Sequence, residues 1–290
     1  MRTSLAILAL VLPSLAAPAL AAGGKKPGDK PADKSAPPMG KAAPACGAKI
    51  LPLVEGNTWT YAKIDAGLIP DEKLKRLIPT QPRTVVITVK SVDAKKGPDT
   101  VVTLEEKITI DLSKDPKKEL LDEHVVTTTI TCNAKGKFEI SPDSFFFAGE
   151  PGGYFNLELD KVERTRDTSW KLVGGTIGEA PWREDLTAHW TRKATAGSDA
   201  KLGSGTVEIE HSWTPAEPEV ITTKIGMYHS QKIGVSVTGR VTLENPMSDA
   251  STMGMPDKWL NILWLADNVG MVQVQNRFAH LYQLTDATLK

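Results

Sequence analysis

The feature that most constrains this chain is an alternation of apolar and polar residues that recurs in many separate runs. Successive side chains of a strand point to opposite faces, so each run predicts a strand with one buried and one solvated face. The clearest runs lie at residues 84–90, 108–112, 126–132, 207–213, 233–243 and 278–284. One-sided strands are typical of antiparallel sheets. The sequence therefore predicts a mainly β fold, a large curved antiparallel sheet or half-barrel with two or three short helices.

Helical patterning is confined to short segments. Residues 70–78 begin with a proline and carry one apolar stripe, and residues 115–122 offer an N-cap followed by proline. Proline is well suited to the first helical position, so both segments are predicted to form a couple of helical turns. A glycine- and proline-bounded break near residues 174–181 indicates a sub-sheet boundary, but we expect a single β-rich domain over residues 46–290.

The N-terminus has the pattern of an export signal. A positive start is followed by an apolar run rich in leucine and alanine, and small residues precede two glycines. This pattern predicts a signal peptide over residues 1–22, cleaved after Ala21 or Ala22. The alternative is an uncleaved anchor, but the run falls short of the ~20 apolar residues of a spanning helix and contains Pro13 and Pro18. We expect a mature protein without a transmembrane segment, exported to the periplasm or the extracellular space.

Residues 23–45 are predicted to form a disordered linker, because lysine, proline, alanine and glycine dominate them and Met39 is their only large apolar residue. Such a segment buries too little surface to offset the entropy lost on ordering. Over its full length, the chain carries 35 basic and 35 acidic residues. Zero net charge argues against nucleic acid as a partner.

The chain has two cysteines, Cys46 and Cys132. An even number in an oxidising compartment favours a disulfide, which would tie the start of the domain to a central strand. Closing so long a loop stabilises by roughly 4–5 kcal/mol in the chain-entropy model. The alternative is two buried thiols, because Cys132 falls on an apolar face.

The sequence contains no recognisable catalytic motif. The five histidines lack metal-site spacing, and no nucleophile elbow or phosphate-binding loop is found. His211 and His280 fall on apolar strand faces, where a hydrogen-bonded core residue is the commoner role. Adjacent carboxylates at Glu105–Glu106 and Glu184–Asp185 point to opposite faces of their strands. We therefore expect no catalytic residues, no metal and no cofactor.

One segment concentrates aromatic residues between glycines and prolines. It contains Phe145, Phe146, Phe147, Tyr154 and Phe155. As ligand-binding residues, they would form a lip over an apolar cavity. As structural residues, they would plug one end of the sheet, since large aromatic side chains usually bury.

Two terminal segments carry a resemblance. Residues 51–61 read LPLVEGNTWTY, and residues 264–272 read WLADNVGMV before a last strand. This resembles uncharacterised secreted bacterial envelope proteins that begin with PL-x-x-G-N-x-W-x-Y and end with V-G-x-V, with large curved sheets distantly like the half-barrels of periplasmic lipoprotein carriers. The resemblance implies an envelope protein of unknown role that could bind apolar ligands, and it carries over no catalytic residue.

The residues of these segments have physical roles. Gly56 supplies a position free to adopt positive φ, and Gly270 lets the chain bend between two strands. Trp59 and Tyr61 lie two residues apart, so they share a face and would form an aromatic plug.

Three functions are compatible with these patterns. The first is an envelope protein that holds an apolar small molecule or lipid in the concave face of the sheet. The second is a structural or protein-interaction module of the envelope, which binds a protein partner at an exposed strand edge. The third is a hydrolase with an unrecognised site, which needs a convergent nucleophile, base and donor. We rank the enzyme last.

Overall fold

The structure is a computed structural model of the 290-residue chain. It describes residues 45, 49–64, 81–94, 99–113, 117–133, 137–141, 144–148, 157–164, 170–173, 176–177, 182–193, 201–243 and 258–290. These residues belong to one compact unit, which spans Lys34–Lys290. The predicted signal peptide, nearly all of the linker and the predicted helix at 70–78 lie outside the described residues and stay predictions.

The described residues form fourteen strands and one short helix. They are β1 (Thr58–Ile64), β2 (Thr84–Asp93), β3 (Asp99–Asp111), β4 (Leu121–Asn133), β5 (Lys137–Ile140), α1 (Phe145–Ala148), β6 (Leu157–Arg164), β7 (Trp170–Val173), β8 (Thr176–Ile177), β9 (Trp182–Lys193), β10 (Lys201–Thr223), β11 (Gly226–Leu243), β12 (Lys258–Ala266), β13 (Gly270–Gln275) and β14 (Leu281–Thr288). Every pairing between these strands is antiparallel. The predicted mainly β, antiparallel fold is confirmed.

The strand order is β6-β9-β10-β11-β12-β13-β14-β1-β2-β3-β4-β5-β7-β8. The last strand of the chain therefore pairs with the first strand near the middle of the order. Among the described residues, β6 and β8 at the two ends do not pair with each other, so the sheet is not closed into a barrel.

One short connection, between β6 and β7, requires the sheet to curve. Arg164 ends β6 at one end of the order, and Trp170 begins β7 near the other. An extended chain spans at most ~3.3–3.6 Å per residue, so this connection reaches about 20–22 Å. The two ends of the order therefore approach each other at this point, which a flat sheet of this many strands would not allow.

The core lies on one face of the strands, as the alternation predicts. In β2, Val85, Ile87 and Val89 are buried, and Val102 and Leu104 of β3 continue the same layer. The predicted inward faces of β10 and β11 are also buried, with Val207, Ile209, His211 and Trp213 on one strand and Ile233, Val235 and Val237 on the other.

Two glycines shape the ends of β1 and β13. Gly56 has φ +84° and precedes Asn57, whose side-chain amide donates to the carbonyl of Pro52 at 2.8 Å. Gly270 has φ +101° at the start of β13, and a Cβ there would lie 3.2 Å from Nε1 of Trp59. Both conformations favour glycine, so the predicted roles of these residues are confirmed.

The predicted helix at 115–122 is wrong over the residues that the structure describes. Residues 117–120 form a turn and an irregular segment, and Leu121 begins β4. The N–H of Leu112 donates to the carbonyl of Leu120 at 2.8 Å, which extends the β3–β4 ladder. A two-turn helix is marginal in water, so pairing along a thirteen-residue strand prevails.

The last strand begins later than predicted, at Leu281. The side-chain carbonyl of Asn276 accepts from the backbone N–H groups of Phe278 and His280, at 3.0 and 3.1 Å. Ala279 has φ 60° in this turn. Phe278 and His280 are therefore half-buried turn residues, because the amide of Asn276 satisfies the backbone groups that a strand would pair.

Candidate functional site

Aromatic side chains meet at the centre of the inner face, the face that carries Trp59 and Tyr61 of β1. The Tyr61 and Phe145 ring centroids are 5.0 Å apart, and Phe145 lies 5.6 Å from Tyr282. Phe146 stands edge-on to Trp59 at 5.4 Å. All five side chains are buried. Helix α1 therefore fills the inner face beside β1 and β14.

A buried carboxylate anchors α1. Glu106 of β3 is fully buried and accepts hydrogen bonds from the hydroxyl of Ser144 at 2.8 Å and of Thr128 at 2.9 Å. The backbone N–H of Phe145 lies 3.1 Å from both carboxylate oxygens. Hydrogen bonds to a charged group are stronger than neutral ones, so Glu106 fixes the point where the chain enters the inner face.

The same carboxylate acts on the neighbouring phenol. Burial of Tyr61 raises its pKa well above the usual value, and the negative charge of Glu106 raises it further. The Tyr61 hydroxyl donates to the carbonyl of Met271 at 2.8 Å, so it serves as a neutral structural donor between β1 and β13.

The predicted ligand-binding residues are only partly described. Phe145 and Phe146 lie in the core, at 0% and 2% exposure. The side chain of Phe147, and all of Tyr154 and Phe155, lie outside the described part of the chain. Binding of a ligand by this segment stays a prediction.

The predicted disulfide is half described. Cys132 of β4 is buried at 1% exposure and carries no free thiol. Cys46 lies outside the described residues. The bridge between Cys46 and Cys132 therefore stays a prediction.

The path of the chain into the inner face leaves part of β4 without a neighbour. Strand β5 pairs with β4 only from Ile130 to Cys132, and it ends at Ile140. Among the described residues, no strand pairs with residues 121–127 on the side away from β3. We call this stretch the free edge of β4.

The direction of the free backbone groups follows from two hydrogen bonds. The carbonyl of Leu120 accepts from the N–H of Leu112, so it points toward β3. The carbonyl of Thr129 accepts from the N–H of Ser141 at 2.9 Å, so it points toward β5. Because N–H and C=O of one strand residue point the same way, the odd-numbered residues bond outward. Four residues thus present one N–H and one C=O each to the free edge: Leu121, Glu123, Val125 and Thr127.

The free edge carries two carboxylates, Asp122 and Glu123, but no lysine, no proline and no bulge. Edge strands are commonly blunted by lysine, proline or a bulge. Residues 121–127 read LDEHVVT, and the β3–β4 register shows no shift. Two apolar side chains on its solvent face, Leu121 and Val125, are 41% and 62% exposed. The arrangement can accept a further strand by backbone hydrogen bonds.

A buried polar pair lies elsewhere on the inner face. Glu184 of β9 and His211 of β10 are register partners, at 3% and 2% exposure. The His211 ring lies 6.0 Å from the ring of Trp213. The alternation predicts the inward direction of His211, but the position of Glu184 opposite it depends on the register between β9 and β10.

The described ranges contain neither a metal-binding cluster of side chains nor a membrane-spanning helix. No group of three or more His, Cys, Asp or Glu side chains could hold a metal ion there. No helix in the same part of the chain has the length and apolarity needed to cross a membrane.

Fold and site define a class: a mainly antiparallel β protein in which residues 121–127 of β4 have, among the described strands, a neighbour on one side only. No protein-family profile and no curated protein matches the sequence. A candidate lipoprotein from Parabacteroides distasonis is similar in structure over 83% of this chain and 99% of its own, at 13% identity and a TM-score of 0.48. A candidate exported protein with a YmcC-like fold from Bacteroides fragilis gives the same coverage at 12% identity and a TM-score of 0.44.

Proposed function

We propose that this chain is an exported, non-catalytic interaction module that accepts a partner strand along the free edge of β4. The observation that carries the proposal is the row of outward N–H and C=O groups on residues 121–127, which no described strand pairs. Strand addition at an open sheet edge gains affinity from main-chain hydrogen bonds and specificity from alternate side chains.

The surroundings of the edge favour a partner strand. Leu121 and Val125 offer apolar contact on the solvent face, and Glu123 is held by Lys107 at 3.0 Å. On the inner side of the edge, His124 Nε2 lies 3.0 Å from Asp122 Oδ2. A partner strand would therefore meet apolar side chains flanked by two carboxylates, each of which already contacts a side chain of this chain.

Export is proposed from the N-terminal pattern over residues 1–22. Removal of this segment leaves a protein that begins at Ala22 or Gly23. The intact mass of protein secreted by a bacterial host tests this step, because cleavage at any other position, or none, gives a different mass.

The binding step is tested with a synthetic peptide of alternating valine and threonine flanked by lysines. Val125→Pro removes an outward N–H without touching the bonds to β3, whereas the control Val125→Thr keeps that N–H. We expect the peptide to bind the wild type and Val125→Thr, and to bind Val125→Pro at least about tenfold more weakly. Equal binding by all three proteins would contradict the proposal.

An apolar ligand on the inner face is the second candidate. It is favoured by one observation: a single one-turn helix, anchored by Glu106, covers the aromatic centre of that face. A ligand would have to displace Phe145 and Phe146. Uptake of a fluorescent fatty acid by delipidated protein, increased by Phe146→Ala, would support this function, and no uptake by either protein would count against it.

A further inference from the structure

We infer that the strand accepted at the free edge of β4 is the same edge of a second copy, paired antiparallel about a two-fold axis at His124. This inference rests on the proposed function and names its partner. An isologous interface of this kind needs a surface that is complementary to itself, and the sequence of the edge meets that condition.

The bonding pattern selects this register. The odd-numbered residues of the free edge point their N–H and C=O groups away from β3. In a two-fold pairing these residues must lie opposite odd-numbered residues of the second copy, because only then can the two copies exchange hydrogen bonds. With His124 on the axis, Leu121 opposes Thr127 and Glu123 opposes Val125, and all four outward residues of each copy find a partner. Centring on Val125 would place Leu121 opposite Thr129, whose carbonyl already accepts from Ser141.

Charge supports the same register. With His124 on the axis, Glu123 faces Val125 on the solvent side and Asp122 faces Val126 on the inner side, so no carboxylate is opposed to another carboxylate. Centring on Glu123 or on Asp122 would instead place each carboxylate directly opposite its own copy.

Burial of exposed apolar side chains also favours this register. Val125 is 62% exposed and Leu121 is 41% exposed in the single chain. Pairing about His124 brings Val125 beside the Glu123–Lys107 pair of the second copy and covers its apolar side chain. It also joins two regular ladders, because β3 and β4 pair without a register shift.

Cysteine trapping tests the register. Residues on the axis at His124 form a non-hydrogen-bonded pair, whose Cα atoms lie about 4.5 Å apart, within the range of a disulfide. His124→Cys should give a covalent dimer on non-reducing gels. The matched variant Val126→Cys, which faces Asp122 of the second copy, should remain uncrosslinked, as should the wild type.

A matched pair of charge variants tests the same contact in solution. Lys107 lies opposite residue 125 in the same chain, so all proteins compared, the reference included, carry Lys107→Gln. In that background Val125→Glu places a carboxylate opposite Glu123 of the second copy, whereas Val125→Lys places an ammonium group there. In sedimentation velocity at increasing concentration, we expect the reference and Val125→Lys to dimerise and Val125→Glu to dimerise at least about tenfold more weakly. Circular dichroism confirms that each variant is folded.

The outcomes separate this inference from the function on which it rests. A wild type that stays monomeric at every concentration but binds the valine–threonine peptide overturns the second copy as partner and leaves strand addition standing. Crosslinking by Val125→Cys and not by His124→Cys overturns the register. A monomer that also fails to bind the peptide overturns both the inference and the proposed function.

Discussion

Glu106 and Phe145 are joined by a hydrogen bond from the backbone N–H of Phe145 to the Glu106 carboxylate at 3.1 Å, across 39 residues of sequence. This contact turns the chain away from β4 and into the inner face. The filled centre of the sheet and the free edge of β4 are therefore two results of one change in chain direction.

Glu106→Gln tests this anchor. An amide whose oxygen takes the place of Oε1 still accepts from Ser144 and Thr128, but these bonds lose the negative charge, and an NH₂ group then faces the N–H of Phe145 in place of Oε2. We expect a loss of about 1–3 kcal/mol of unfolding free energy in urea, with a change in near-ultraviolet circular dichroism from the displaced rings.

The adjacent residue provides the control. Glu105 is 40% exposed and lies 3.4 Å from Lys90 on the solvent face. Glu105→Gln should lower the unfolding free energy by less than about 1 kcal/mol, because an exposed ion pair usually stabilises a protein by no more than that. Similar losses for the two variants would show that Glu106 is not the anchor.

Gly270→Ala is expected to destabilise the protein by about 1–3 kcal/mol, because its φ of +101° strains an L side chain. The new Cβ would also press on Trp59 Nε1, which donates to the carbonyl of Val269 at 2.6 Å. Gly234→Ala is the control, since its nearest neighbour, the Thr214 carbonyl oxygen, is 3.9 Å away. Thermal unfolding measures both, and an unchanged melting temperature for Gly270→Ala would refute this role.

Low pH should reduce the unfolding free energy of the protein, in part by protonating Glu219. Hydrogen bonds from Lys232 at 2.6 Å and from the Trp264 indole at 2.8 Å lower the pKa of this carboxyl. A lowered pKa gives stability that is present above the unfolded-state pKa and is lost as pH falls through the folded-state value. The group is 42% exposed, so solvent screening keeps the effect below about 1 kcal/mol.

Urea unfolding near pH 7 and near pH 3 measures whether Glu219 makes the protein less stable in acid. Glu219→Gln should lose less stability on acidification than the wild type, whereas Glu217→Gln, an exposed residue on the same strand, should behave like the wild type. A larger acid loss in Glu219→Gln than in the wild type would reverse the expected sign.

The predicted disulfide between Cys46 and Cys132 can be tested by mass spectrometry of peptides. Non-reducing peptide mapping of the exported protein should yield one linked pair of peptides that separates on reduction. Cys46→Ala should lower the unfolding free energy by roughly 4–5 kcal/mol in the chain-entropy model. Two alkylatable thiols in the unreduced, unfolded protein would show that no bridge forms.

Alternation alone predicts much of the sheet, because the period of two marks which side chains share a face. The buried faces of β2, β10 and β11 follow directly from the residues. The same logic places Glu106, two residues before Ile108, on the buried face and Glu105 on the other. It does not give the partners of the buried carboxylate, because Ser144 and Phe145 lie far away in sequence.

The predicted helix at 115–122 is an error of a different kind, in which a local sequence signal is misleading. An N-cap pattern followed by proline is a local signal, and it is outweighed by the pairing of Leu121 with Asp111 across the hairpin. The free edge could not be read from sequence for a related reason. The pattern of residues 121–127 predicts a strand, but which of its edges remains unpaired depends on where β5 ends.

Residue-resolved amide hydrogen exchange along β4 tests the central claim most directly. In dilute protein, the outward N–H groups of Leu121, Glu123, Val125 and Thr127 should exchange quickly, while the even-numbered residues between them, bonded to β3, exchange slowly. Adding the valine–threonine peptide should slow the four fast amides and leave the others unchanged. Four amides that are already protected in the dilute monomer, or that stay fast at saturating peptide, would contradict the account.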